Sequence, residues 1–97
     1  MHARVSTYEG DIDRLIEGFQ RQADLIRLLD GFVRAYLLVD RAGGRATTVT
    51  LWDSEQALDA SAERAAHLRE EATETAGATV GSVDAYELAL EIDVGDG

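Results

Sequence analysis

Two runs rich in β-branched and aromatic residues, Phe32 to Val39 and roughly Arg45 to Trp52, are joined only by Asp40-Arg41-Ala42-Gly43-Gly44. Paired glycines take positive φ at no Cβ penalty, so this link closes a tight reversal and makes the two runs an antiparallel hairpin. The hairpin fixes the centre of the fold. Whatever precedes and follows it must extend the same small sheet or cover it.

Upstream, Ala3 to Tyr8 reads as a short strand that stops at Glu9-Gly10-Asp11, a turn followed by a helix N-cap. From there Ile12, Leu15, Ile16, Phe19, Ala23, Ile26 and Leu29 recur at the three-or-four spacing of one helical face, and Gly31 is placed to end the helix. Downstream, Asp53-Ser54 offers a second N-cap for a long helix ending near Gly77, with a buried stripe of Leu58, Ala62, Ala65, Leu68 or Arg69, Ala72 and Ala76. So many alanines let that helix approach a sheet closely, which leaves a shallow core on its side. Val80 to Ile92 then alternates as a final strand, with Tyr86, Leu88, Leu90 and Ile92 on one face.

Strand, helix, strand, strand, helix, strand is the split βαβ plan of the α+β, ferredoxin-like βαββαβ fold. It predicts a four-stranded antiparallel sheet with both helices on one face and the other face uncovered. Residues 1–92 are then one domain, and 93–97 a frayed tail. A chain of 97 residues buries only about 60 to 65% of its unfolded surface, so a second copy is a natural cover for the open face. A last strand about twice the length that a small sheet needs is long enough to reach that neighbour.

Charge narrows the partners. Nineteen acidic and nine basic residues give a net charge of −10, which repels nucleic-acid phosphates and anionic membrane surfaces. The basic residues are all Arg and scattered, and form no patch. Cysteine is absent, so disulfides, thiolate metal sites and Cys nucleophiles are excluded. Neither a signal peptide nor an apolar run of about 18 residues is recognisable, and a cytoplasmic location is the default expectation.

Ala3-Arg4-Val5 with Tyr8-Glu9-Gly10, Gly31-Phe32 followed by Tyr36-Leu37-Leu38-Val39-Asp40-Arg41, Leu51-Trp52-Asp53-Ser54-Glu55-Gln56-Ala57-Leu58, and Val83-Asp84-Ala85-Tyr86-Glu87 together resemble the antibiotic biosynthesis monooxygenase (ABM) superfamily. The resemblance implies a dimeric α/β barrel, in which two sheets close face to face and each subunit keeps a pocket between sheet and helices. Members of that family include cofactor-free oxygenases of polyketide-like phenols, haem-degrading enzymes, and many proteins with no established reaction. Haem-degrading relatives carry a second Trp in the helix after the Trp-x-Ser motif, and a His ligand further along. Here that stretch reads Ala60-Ser61-Ala62-Glu63-Arg64-Ala65-Ala66-His67, with no second Trp and one helical turn less, which counts against haem.

Each candidate residue has a plain reading beside its functional one. Trp52 is either a wall for an aromatic ligand or a plug between the third strand and the second helix, and the plug carries more weight. Tyr36 and Tyr86 are phenolic donors or strand packing, with packing ahead. Alternation groups Arg4 with His2, Ser6 and Tyr8; facing inward it needs Asp84, Glu87 or an anionic ligand, and facing outward, the favoured reading, it is a surface residue. His67 lies among Glu63, Arg64, Glu70, Glu71 and Glu74 on the polar side of its helix, which makes it a solvated histidine before a ligand or base. Neither Ser54 nor Ser61 has a His and an acid placed to activate it, and no acidic cluster has metal-ligand spacing.

The resulting expectation is a homodimer that oxygenates an aromatic or quinol-like molecule without cofactor or metal, using Trp52, Tyr36 and Tyr86 as pocket walls or donors and Arg4 as a charge partner. A non-catalytic dimer that binds a small ligand or a protein partner is the alternative. Haem handling through His67 comes third.

Overall fold

Local side-chain chemistry sets the element boundaries in the computed structural model of the chain, which describes residues 1–95. Strand β1 (His2–Glu9) leads into helix α1 (Ile12–Arg27), whose N-cap Asp11 accepts a hydrogen bond from the Arg14 amide at 3.1 Å. Strands β2 (Phe32–Asp40) and β3 (Arg45–Trp52) form the hairpin, and its turn is held by Asp40, which accepts from the Gly43 amide at 3.1 Å and from Arg45 Nη2 at 2.9 Å. Ser54 caps the next helix by accepting from the Ala57 amide at 3.0 Å.

The sequence pattern read one helix from Ser54 to Gly77, and the structure contains two: α2 (Glu55–Ala60) and α3 (Ala62–Ala76). The break has a local cause. The Leu58 carbonyl accepts from Arg4 Nη2 at 2.7 Å and from the Ser61 hydroxyl at 2.8 Å, and such side-chain donors compete with the helical ladder. At this break Ser61 is buried in place of the expected Ala62, while Leu68, Ala72 and Ala76 keep their inward positions.

Strand β4 (Thr79–Glu87) stops short of the expected Ile92. It pairs with β1 only as far as His2 opposite Glu87, and the Leu88 amide makes one last bond to the Met1 carbonyl at 2.9 Å. Residues 88–95 form no regular element, and the expected tail over 93–97 extends past the described residues.

The sheet is antiparallel with order β2-β3-β1-β4, the arrangement of the ferredoxin-like fold. Register divides its two faces. Arg4, Ser6 and Tyr8 share one face with Ala46, Thr48, Thr50 and Trp52 of β3 and with Phe32, Ala35, Leu37 and Val39 of β2. The helices cover that face, and Tyr8, Ala46, Ile12, Leu15 and Ala76 form its core. Val49, Tyr36, Leu38 and Tyr86 occupy the opposite face, where Tyr36, Leu38 and Tyr86 stay exposed. Among the described residues no helix is long and apolar enough to cross a membrane.

Candidate functional site

Helix α1 does not lie flat on the sheet along its whole length. Near its start Ile12 and Leu15 pack onto Tyr8 and Ala46, and further along it leans on α3, where Gly18 faces Ala72. Small residues on α3 fill little of the space left between helices and sheet. The result is a cavity of about 540 Å³ whose floor is Arg4, Ser6, Tyr8, Thr48, Thr50 and Trp52. Ile16, Phe19, Ala23 and Ile26 of α1 form its roof, Ala65 and Leu68 of α3 one wall, and Phe32, Ala35 and Leu37 the other. A largely apolar concavity of this size suits a small molecule.

Its polar end is organised by Arg4, which faces inward, contrary to the surface position favoured from sequence, and is only 6% exposed. The expected carboxylates are not its partners. Register opposes Arg4 to Ala85 and places Asp84 on the other face beside Val5. Arg4 Nη2 instead donates to the Leu58 carbonyl at 2.7 Å and to Ser61 Oγ at 3.3 Å, with Nη1 at 3.4 Å from the same oxygen. These neutral acceptors fix the guanidinium without cancelling its charge. Burial, and then the like charge of Arg69, push its pKa down against the opposing pull of Asp59, yet an arginine stays protonated under such perturbations.

The Arg4 Cζ lies 5.6 Å from the centroid of the Trp52 ring, within cation–π range. Trp52 is 1% exposed, donates from Nε1 to Thr50 Oγ1 at 3.0 Å, and meets Phe32 edge-on at 5.6 Å. Phe32 is brought there by Gly31, whose φ of +78° turns the chain out of α1 and whose carbonyl accepts from the Asp53 amide at 2.9 Å. At the other end Tyr8 meets Phe19 edge-on at 5.4 Å, and its hydroxyl is 3.1 Å from Thr48 Oγ1.

Of the four residues singled out from sequence, the structure brings Trp52 and Arg4 together at the cavity. Tyr36 contributes to the β2 rim, but its register with Val49 sends the side chain to the open face, where Arg34 Nη1 is 3.5 Å from its hydroxyl. Tyr86 is 56% exposed on that same face and does not line the cavity. The His67 side chain is 69% exposed and 3.6 Å from Glu71, on the solvated side of α3. Sequence reasoning passed over Tyr8, Phe19 and above all Gln22, a 7% exposed amide on the roof. One signal was available: Gln22 stands seven residues after the fully buried Leu15, two turns along the same helical face.

Among the described residues no Asp, Glu or His lines the cavity, whereas Arg4, Arg27 and Arg69 all do. Arg27 is largely exposed and paired with Asp24 at 2.7 Å, so the buried positive charge of the cavity is that of Arg4, which favours an electron-rich or anionic guest. Among the described residues no group of three potential metal ligands exists.

A sequence profile described as antibiotic biosynthesis monooxygenase (ABM) matches residues 1–73, from β1 to most of α3. The chain belongs to the ABM family. Comparison with curated proteins gives no match. Among solved structures, this ABM chain is similar to SnoaB, a cofactor-independent oxygenase from Streptomyces nogalater, with 18% identity, 94% of this chain and 95% of the other covered, and a TM-score of 0.73. It is also similar to MhuD, a heme-degrader from Mycobacterium tuberculosis with two hemes bound in its active site, at 25% identity, 96% and 100% coverage and a TM-score of 0.64. The first likeness carries the fold alone.

The second raises haem, and the donor set of this ABM cavity does not fit it. Haem iron takes His, Cys, Met or Tyr as axial ligand. Among the described residues the lining offers Tyr8, whose hydroxyl is engaged with Thr48, and Tyr36, whose side chain is on the other face.

Proposed function

We propose that this ABM protein binds a flat aromatic or quinol-like molecule between its sheet and α1 and oxygenates it with dioxygen, without a bound cofactor, as a homodimer closed through the open sheet face. The observation that carries this reading is the Arg4–Trp52 pair at the floor of an otherwise apolar cavity. An aromatic guest finds Trp52, Phe32 and Phe19 as ring partners, and an oxygen on it finds a buried cation that, among the described residues, has no carboxylate in direct contact.

The reaction such a site can assist starts from an activated ring methylene. Its acidity is that of an enolisable or phenolic substrate, and Arg4 stabilises the oxyanion left when the proton passes to a water molecule, from which the peroxide formed later takes a proton back as it loses water. The electron-rich anion passes an electron to dioxygen, and recombination and loss of water replace CH₂ by C=O, with one oxygen atom retained and the other leaving as water. The chain's contribution is orientation, a fixed positive charge and exclusion of bulk water.

The lack of any carboxylate or histidine in the lining among the described residues favours a second reading, a dimer that binds the same class of molecule without turning it over. Oxygen-electrode measurements with anthrone and 1-naphthol separate the two. Uptake above a buffer control, lost in Arg4→Met, supports oxygenation. Calorimetric binding without uptake supports the binder, and neither uptake nor binding rejects both.

A further inference from the structure

Of the nine arginines, seven are exposed and two are not, and those two, buried Arg4 and half-buried Arg69, both line the cavity. They also lack counter-ions. Arg14, Arg21, Arg27, Arg41 and Arg45 each pair with a carboxylate, but among the described residues neither Arg4 nor Arg69 forms a salt bridge. Acidic residues are not scarce around Arg69. Helix α3 carries Glu63, Glu70, Glu71 and Glu74, yet the residues three and four places from Arg69, its neighbours on the helix surface, are Ala65, Ala66, Ala72 and Thr73. Arg4 in turn has five N–H donors for the two acceptor atoms that hold it, the Leu58 carbonyl oxygen and Ser61 Oγ. The charge of Arg69 is felt at Arg4, whose pKa it lowers, so lining one apolar space with both cations costs stability unless an anion joins them.

We propose that Arg4 and Arg69 together bind a carboxylate, so that the guest is an aromatic hydroxy acid and not a neutral phenol. This deepens the reading of the cavity as the ligand site and rests on it. The planar guanidinium fork matches the two oxygens of a carboxylate better than the single oxygen of a phenol. A hydroxyl ortho to that carboxylate keeps the reacting oxygen beside Arg4, while Arg69 supplies the second cation.

Equilibrium dialysis of the full chain at about pH 7 with 1-hydroxy-2-naphthoate, its methyl ester and 1-naphthol tests this, since the acid alone is ionised there. The wild type is expected to prefer the acid over the ester by about tenfold or more. A chain of net charge −10 repels anions at long range, so such a preference is a local effect. In Arg69→Met, which keeps the stem and removes the charge, the preference falls at least about fivefold while 1-naphthol binds as before. Arg69→Gln serves the same comparison if the methionine variant does not fold. Arg64→Met removes an equal charge from the exposed side of α3 and leaves the preference unchanged. Three results overturn the carboxylate site and leave the cavity reading standing: equal wild-type affinities for acid and ester, a preference that survives both Arg69 substitutions, or one that Arg64→Met lowers as much. If none of the three ligands binds the wild type, the cavity reading falls and the carboxylate site with it.

Discussion

The Arg4 guanidinium stands over the Trp52 ring at 5.6 Å and reaches past it to the Leu58 carbonyl, so one side chain of β1 ties the sheet to the junction of α2 and α3. Arg4→Met keeps the stem and removes both attachments. The buried charge-assisted bond and the ring contact together predict a loss of about 2–3 kcal/mol, read as a lower urea midpoint with an unchanged slope. Arg4→Lys should recover only part, because one ammonium cannot replace the planar fork that spans Leu58 and Ser61. An unshifted midpoint in Arg4→Met would show that the junction holds without it.

Trp52 is the single tryptophan of the chain and is almost fully buried, which makes it a built-in reporter. Its emission should be blue-shifted in the folded protein, and an aromatic guest in the cavity should quench it. Trp52→Ala is expected to cost about 3–5 kcal/mol, enough to threaten folding, whereas Trp52→Phe should fold and bind aromatic probes more weakly. Emission at the wavelength of a solvated indole would contradict the packing around Phe32 and Thr50.

These two residues also mark how far the sequence could be read. The succession of elements and the antiparallel pairing of β2 with β3 followed from periodicity and from the Asp40–Gly44 turn, since such signals are local. Arg4 was placed correctly with Ser6 and Tyr8 by alternation, but alternation cannot say which face is covered; that depends on α2 arriving across a separation of more than fifty residues to offer the Leu58 carbonyl and Ser61. The same long-range bond broke a helix that looked continuous. Strand β4 was read too long because alternation persists to Ile92, while a strand ends where its partner β1 does. Tyr36 and Tyr86 were grouped with Trp52 by residue type, and register then separated them. Gln22 was missed because a polar residue on an apolar stripe reads as surface until the second helix is known to lie against it.

The open face gives the prediction about assembly. Tyr36 and Leu38 of β2 and Tyr86 of β4 are exposed on the same side of the sheet, more large apolar surface than a small monomer usually leaves uncovered. Sedimentation equilibrium at micromolar concentration should give twice 10.5 kDa. Leu38→Asp should shift the species toward the monomer, because a carboxylate cannot be buried there unpaired. A wild-type species of 10.5 kDa would reject the closed barrel.

The last prediction concerns acid stability at the hairpin. Asp40 accepts from Arg45 and from the Gly43 amide, and these bonds hold its carboxyl below the usual carboxylate range, Arg45 contributing most. A group whose folded pKa is depressed binds its proton more readily in the unfolded chain, so its stabilisation is complete above the ordinary Asp value of about 3.9 and fades as pH falls through the lower folded value. The group is exposed, which keeps the effect small and salt-sensitive. Asp40→Asn retains an acceptor for Gly43 and loses the ion pair. The wild type should therefore be more stable than Asp40→Asn at neutral pH, and the gap between their urea midpoints should close as the solution is acidified below about pH 4. A gap that stays constant across that range would mean that the Arg45 contact contributes nothing to folding.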